Sequence, residues 1–221
     1  MPIRLPKLKI NGLEVKKVDK TKFLGVIIDS NLSWKPHIDL LESKIARVIG
    51  LMYRSRMFLN LKSHKHIYHS LVYSHLSYSN IIWGSANKTK LSNLESKHKH
   101  VCKVMVFKKR KDSARQAMKN LGLLSVKSIN VLQTLSFMFK HSKGLIPIAF
   151  KNMFSKKVTK YNLRSTKKGD ITLPKNTCKY IENSLSYRGP KLWNTLSEEI
   201  KSLLNQSAFK KALKNNLIRE Q

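Results

Sequence analysis

The sequence predicts a mainly α protein: a helical bundle with a small N-terminal β-hairpin or three-strand element and a partly irregular, basic C-terminal region. Three observations carry that expectation. Apolar residues recur at three- and four-residue spacing from Ile38 to Phe139, the period of helices with one buried face. β-type patterning is confined to residues 8–28. The 221 residues hold 44 Lys and Arg against 12 Asp and Glu, a net charge of +32, and the stretch from Phe154 to Pro174 is basic and poor in apolar residues.

Taken in order, Leu8 to Val18 carries Asn11-Gly12 between short apolar stretches, a pair suited to the two positive φ angles of a type I′ hairpin turn. Phe23 to Ile28 is an apolar, β-branched run that reads as a third strand, with Gly25 leaving room for another backbone or a ligand. Asp29-Ser30-Asn31 is turn chemistry, and Pro36 suits a first helical position. Ile38, Leu41, Ile45, Val48 and Met52 then form one apolar stripe, with Lys44, Arg47 and Arg54 off it. A second helix is expected over Ser63 to Ile82, with Ile67, Leu71, His75 and Tyr78 on one face and Tyr68, Tyr73, Tyr78 and Trp83 mostly in the core. A third is expected over Thr89 to Val106. The loop Lys108-Lys109-Arg110-Lys111 follows, then a short helix from a Ser113 cap to Leu121-Gly122. Ser125 to His141 reads as the longest apolar helix, broken by Gly144 and Pro147. Phe154 to Pro174 reads as an extended loop and Ser186 to Pro190 as a turn, with Trp193 heading a helix. Ser197 and Ser207 are the expected caps of two closing helices. The organisation expected is 1–34, 35–153 and 154–221.

Charge and cysteine content narrow the function classes. Self-repulsion at +32 opposes compaction, and a polyanion relieves it, which makes nucleic acid the first candidate partner. No apolar run approaches the ~20 residues of a membrane-spanning helix, and no signal-peptide core is present. Cys102 and Cys178 form no CxxC motif and no disulfide framework. With the import-like run Lys108 to Lys111, an intracellular, nuclear location is the expectation.

The segment Phe23-Leu24-Gly25-Val26, then Asp29, then Leu32-Ser33-Trp34-Lys35-Pro36-His37-Ile38 resembles the reverse transcriptase (RNA-directed DNA polymerase) of animal LINE-type non-LTR retrotransposons, just past the polymerase palm. Later stretches extend the resemblance. Tyr78 with Trp83-Gly84 is similar to a "Tyr-x-x-x-x-Trp-Gly" midpoint, and Tyr161-Asn162-Leu163-Arg164 to an element of the C-terminal tail. Gly189-Pro190-Lys191-Leu192-Trp193-Asn194-x-Leu196 resembles "Gly-Pro-x-Leu-Trp-Asn-x-Leu-Pro", with Ser197 in place of the last proline, and Phe209-Lys210-x-x-Leu213-Lys214 resembles the close. The resemblance implies that Phe23, Leu24 and Gly25 belong to a primer grip, that the helix from Pro36 opens a thumb-like domain, and that RNA, DNA or an RNA–DNA hybrid is the partner, alongside the palm and fingers of the parent polymerase.

The same resemblance implies Mg2+ in the parent enzyme, held by an adjacent Asp-Asp pair in the palm. This sequence contains no Asp-Asp; Asp19, Asp29, Asp39, Asp112 and Asp170 are scattered. The expectation is therefore a fragment without catalytic residues, without a cofactor of its own, and without polymerase activity alone. The eight histidines include His64, His66 and His69, but this spacing does not put all three on one helical face, and a solvated basic surface is the plainer reading than zinc. Basic residues interleaved with aromatics remain. The first candidates for nucleic-acid contact are Lys35, Lys44 and Arg47, and the second are Lys108, Lys109, Arg110, Lys111 and Arg164; the resemblance adds Trp34 and the Phe23-Leu24-Gly25 run to the candidate contacts. For each residue singly the alternative is a solvated charge. A non-functional retroelement relic and a host-recruited basic chromatin protein are the alternative readings of the whole.

Overall fold

The computed structural model describes residues 8–109, 111–156, 169–175 and 178–221. It is mainly helical, with two small antiparallel strand pairs near the N-terminus. In the first pair, β1 (Lys9–Ile10) meets β2 (Leu13–Glu14) across Asn11-Gly12, both at positive φ, as a type I′ turn requires. In the second, β3 (Lys20–Phe23) meets β4 (Val26–Asp29). The run Phe23 to Ile28 is therefore not one strand. Leu24 and Gly25 take φ of 45° and 82° and fold it into a second hairpin.

Asp29 closes that hairpin and starts the bundle. Its carboxylate accepts from the backbone N–H of Ser33 at 3.0 Å and of Trp34 at 2.8 Å, donors that lie just ahead of helix α1 (Lys35–Ser55). These bonds to the charged form hold its pKa below the usual carboxylate range although burial opposes them. The α1 stripe from Ile38 to Met52 is buried as expected. It packs on α5 (Lys88–Met105), and the two run parallel: Lys90 Nζ donates to Ser33 O, Lys97 pairs with Glu42 at 3.0 Å, and Arg56 lies over the Phe107 ring.

Between them the expected helix Ser63–Ile82 is broken into α2 (Leu61–Tyr68), a π-helical stretch (His69–Tyr73), α3 (Ser74–Ser77) and α4 (Asn80–Trp83). The break at Tyr78 and Ser79 follows from Ser79 at positive φ. The π stretch explains which face is buried. His64, Tyr68, Val72 and Leu76, all inside, are four residues apart. In a regular α-helix three such steps drift by about 120°; the single extra residue taken up by the π-helical turn reduces the drift to about 20°. The expected face of Ile67, Leu71, His75 and Tyr78 is thus not the core face. Tyr68 and Trp83 are in the core, whereas Tyr78 is exposed.

Beyond α5 come α6 (Ala114–Leu121), ended by Gly122 in the left-handed conformation, and α7 (Val126–Ser142), capped by Ser125. The C-terminal helices are α8 (Lys179–Asn183), α9 (Leu185–Asn194), α10 (Glu198–Lys201) and α11 (Gln206–Glu220). Ser186 to Pro190 lies inside α9 rather than forming a turn, and Trp193 sits near its end, buried, not at a helix head. Tertiary packing overrides the breakers: Gly189 brings α9 so close to α7 that a Cβ there would stand 2.6 Å from Met138 Sδ. Phe209 of α11 stacks on Phe139 of α7 at 4.4 Å. One hydrophobic cluster runs from Ile38 to Leu217 and takes in Phe154, Ile171 and Trp193. Asn205, not Ser207, caps α11, its side chain accepting from Ser207 N at 2.8 Å.

A polar chain crosses this core. Asn80 Nδ2 donates to Leu76 O, Asn130 Nδ2 donates to both Asn80 O and Asn80 Oδ1, and Arg188 donates to Asn130 Oδ1. Gly84 lies against it: a Cβ would meet Asn130 Nδ2 and Asn80 Oδ1 at 2.5 Å. Gly84→Ala is expected to cost about 1–3 kcal/mol by overpacking, whereas Gly50→Ala, with open space around it inside α1, should gain about 0.5–1 kcal/mol; urea melts of the two variants check the contrast.

His64 and His98 are buried, contrary to a wholly solvated histidine set. The Tyr68 hydroxyl and His98 Nε2 share a hydrogen bond at 2.8 Å, and burial pushes His98 down to about 4. The unfolded chain takes up a proton here that the folded chain refuses. This contribution is complete above pH 6.5 and is lost as the pH falls toward 4, by up to about 3 kcal/mol. Denaturant melts across that window should show the decline, flattened in His98→Gln.

Candidate nucleic-acid interface

On α1, Lys44, Arg47, Leu51 and Arg54 follow one another at three, four and three residues and share one face beside the buried stripe. Opposite them stand Leu71 of the π-helical stretch and His75 of α3. Together Lys44, Arg47, Val48, Leu51, Leu71 and His75 enclose a shallow groove of about 340 Å³. Its floor is apolar and its rim is cationic, which suits a ligand with a charged backbone and flat uncharged parts. Burial, and then the neighbouring Lys44 charge, hold His75 below the ordinary imidazole value. It is a neutral polar group at pH 7 that becomes a further cation in acid.

Leu71, His75 and Tyr78 carry the groove toward the second hairpin. The Tyr78 hydroxyl donates to Leu24 O at 2.6 Å, and its ring lies 3.5 Å from the position of a Gly25 Cβ. The space that Gly25 leaves open is filled by this ring. Phe23 and Leu24 are exposed at 63% and 74%, presenting an apolar tip beside Tyr78. Trp34 is partly buried and packs against the core, with a left-handed backbone.

The sequence-predicted basic residues separate into distinct places. Lys44 and Arg47 come together in the groove. Lys35 does not join them: nine residues earlier, it lies about 180° round the helix and pairs with Asp39 at 2.6 Å. Lys108, Lys109 and Lys111 follow the far end of α5, where the Lys109 N–H donates to Asp112 Oδ2 at 2.7 Å. Beside them the Arg56 guanidinium lies 4.7 Å from the Phe107 ring and 5.1 Å from that of Tyr53. The hairpin and this loop are thus set apart by the length of α1, about 30 Å for its 21 residues. Arg110 and Arg164 lie outside the described residues. Arg54 and His75 were not among the predicted contacts. Arg54 was legible as the next turn of the Lys44–Arg47 row; His75 needed the packing of α3 on α1.

The groove offers cationic charge beside an apolar floor. Cys102 Sγ is 3.8 Å from His98 Nε2, but both are fully buried and burial pushes the thiol up to about 12. Among the described residues no three His, Cys, Asp or Glu side chains converge as a cation site. No single helix among them is long and apolar enough to cross a membrane. No protein-family model, no curated protein and no solved structure matches the chain.

Removing the Lys44 charge should raise the His75 pKa toward the ordinary imidazole value. Proton NMR titration of Lys44→Ala against the parent protein reads that shift directly.

Proposed function

We propose that this chain is the primer-grip, thumb and tail part of a LINE-type reverse transcriptase, that it lacks the catalytic palm, and that it holds RNA, DNA or an RNA–DNA hybrid without making bonds. The observation that carries the reading is the groove: Lys44 and Arg47 facing His75 across an apolar floor, on a chain of +32. The ordered resemblance through Phe23 to Ile38 and Gly189 to Leu196 supplies the family. A row of cations along an α-helix tracks phosphates without reading bases. The row from Lys44 to Arg54 is about 15 Å long, which at 3.4 Å per step spans about four nucleotides of a strand. Leu8, Ile10, Leu13, Val15 and Val18 of the first hairpin and its flanks are all exposed, which supports packing of this edge onto the palm and fingers of the parent polymerase.

Binding to an RNA–DNA hybrid, measured against salt, tests the reading. Affinity should fall steeply on a log–log plot. Lys44→Ala/Arg47→Ala/Arg54→Ala should reduce the slope by about 2–3, one phosphate contact per lost cation, whereas Lys35→Ala should leave it unchanged. A flat plot, or equal slopes for the triple variant and the parent, would overturn the reading. Primer extension by the purified chain with Mg2+ and nucleotides would overturn its non-catalytic part.

A further inference from the structure

A cavity of about 920 Å³ opens on a different set of residues, shared with no part of the groove. Its walls come from the turn after α4, the first half of α5, the start of α7, and α9. The feature that asks for an explanation is Arg188. It is half-buried, and among the described residues no carboxylate lies within ion-pair reach of it. Its partner is the neutral amide oxygen of Asn130, itself fixed by two bonds to Asn80. A guanidinium carries five N–H donors, and withdrawing its charge from water is costly unless an anion faces it. Burial lowers the Arg188 pKa, as expected for a cation left without a counter-charge.

The surroundings point to the anion's chemistry. Lys88, Lys127 and Lys191 line the same cavity. Of the two carboxylate side chains there, Glu95 accepts from Val126 N at 2.8 Å and pairs with Lys99 at 3.8 Å, and Glu182 is exposed. The remaining wall is apolar: Leu91, Val131, Leu192 and the Tyr187 ring, over which Lys191 Nζ lies at 5.6 Å. A bare inorganic anion would leave this wall uncovered, and an apolar ligand would leave Arg188 unmatched.

We propose that this cavity binds a nucleoside phosphate, with the phosphate on Arg188, Lys127 and Lys191 and the base against Tyr187, Leu91 and Leu192. The volume lies in the range of small-ligand pockets. The ligand is either a free mononucleotide or the 5′-terminal nucleotide of a strand, since both present the same group. The proposal does not depend on the reading of the α1 groove.

Calorimetric titration of the full chain with AMP, adenosine and inorganic phosphate tests it. AMP should bind at least about tenfold more tightly than either of the others, a margin set by needing both halves of the site. Lys127→Ala/Lys191→Ala removes two exposed side chains and should weaken AMP at least about tenfold with an unchanged thermal melt, whereas Lys44→Ala/Arg47→Ala should bind AMP as the parent does. Displacement of AMP by a 5′-phosphorylated oligonucleotide, but not by its 5′-hydroxyl twin, supports the strand end as the source. AMP binding that neither oligonucleotide displaces supports the free nucleotide. AMP no tighter than adenosine or phosphate, or unchanged AMP binding in Lys127→Ala/Lys191→Ala, overturns the proposal.

Discussion

The side-chain amide of Asn130 is the joint on which the bundle depends. Its nitrogen reaches the backbone and side chain of Asn80 on α4, and its oxygen takes a donor from Arg188 on α9. A helix near the middle of the chain, a one-turn helix before it and the helix of the C-terminal region are thereby fixed to one another by a group that is almost wholly out of water. Buried polar groups carry geometric demands that apolar contacts do not, because each unmade bond is costly in a low-dielectric interior. Gly84 is part of the same constraint, since any larger residue would push the two asparagines apart. The close approach of Gly189 to Met138 sets α9 at the depth from which Arg188 can reach Asn130.

Charge sets the second constraint. The few carboxylates are spent at structural joints. Asp29 holds the entry to α1, Glu42 ties α1 to α5 through Lys97, Glu95 meets the start of α7, and Asp170 pairs with Lys201 at 2.9 Å in a largely buried setting. Most of the cationic excess is therefore left facing solvent. Any polyanion that binds the folded chain and not the unfolded one adds to stability by mass action, and salt works against that gain.

How much of this was legible in the sequence differs from element to element. The α1 stripe was fully readable, because five apolar residues keep a strict helical period and no breaker interrupts them. The Phe23 to Ile28 run was misread because β-branched residues favour strands and Leu seldom adopts positive φ, so nothing marked Leu24-Gly25 as a turn. The fault in Ser63 to Ile82 was hidden for a related reason. A four-residue repeat looks like an amphipathic helix, and only the accumulated drift of that repeat hints at looser winding. Gly189-Pro190 was read as a turn from local propensity, which the burial of Trp193 and the contact with Met138 outweigh. Of the candidate site, Lys44 and Arg47 were found as neighbours on a helix. The opposite wall, with His75, exists only because a separate element packs alongside, and no spacing rule reports that. Asn130 and Arg188 are 58 residues apart, beyond any motif.

The loosely wound stretch at His69–Tyr73 acts on everything after it. Rewinding it as ordinary α-helix with no residue lost would swing the following turns by about 100°. Leu76 would then leave the interior, His75 would leave the wall facing α1, and Tyr78 would lose Leu24. Loss of one residue together with that rewinding offsets the swing, since eleven residues at about 100° each return Leu76 to within about 20° of His64, so a one-residue gap here is a change the packing tolerates.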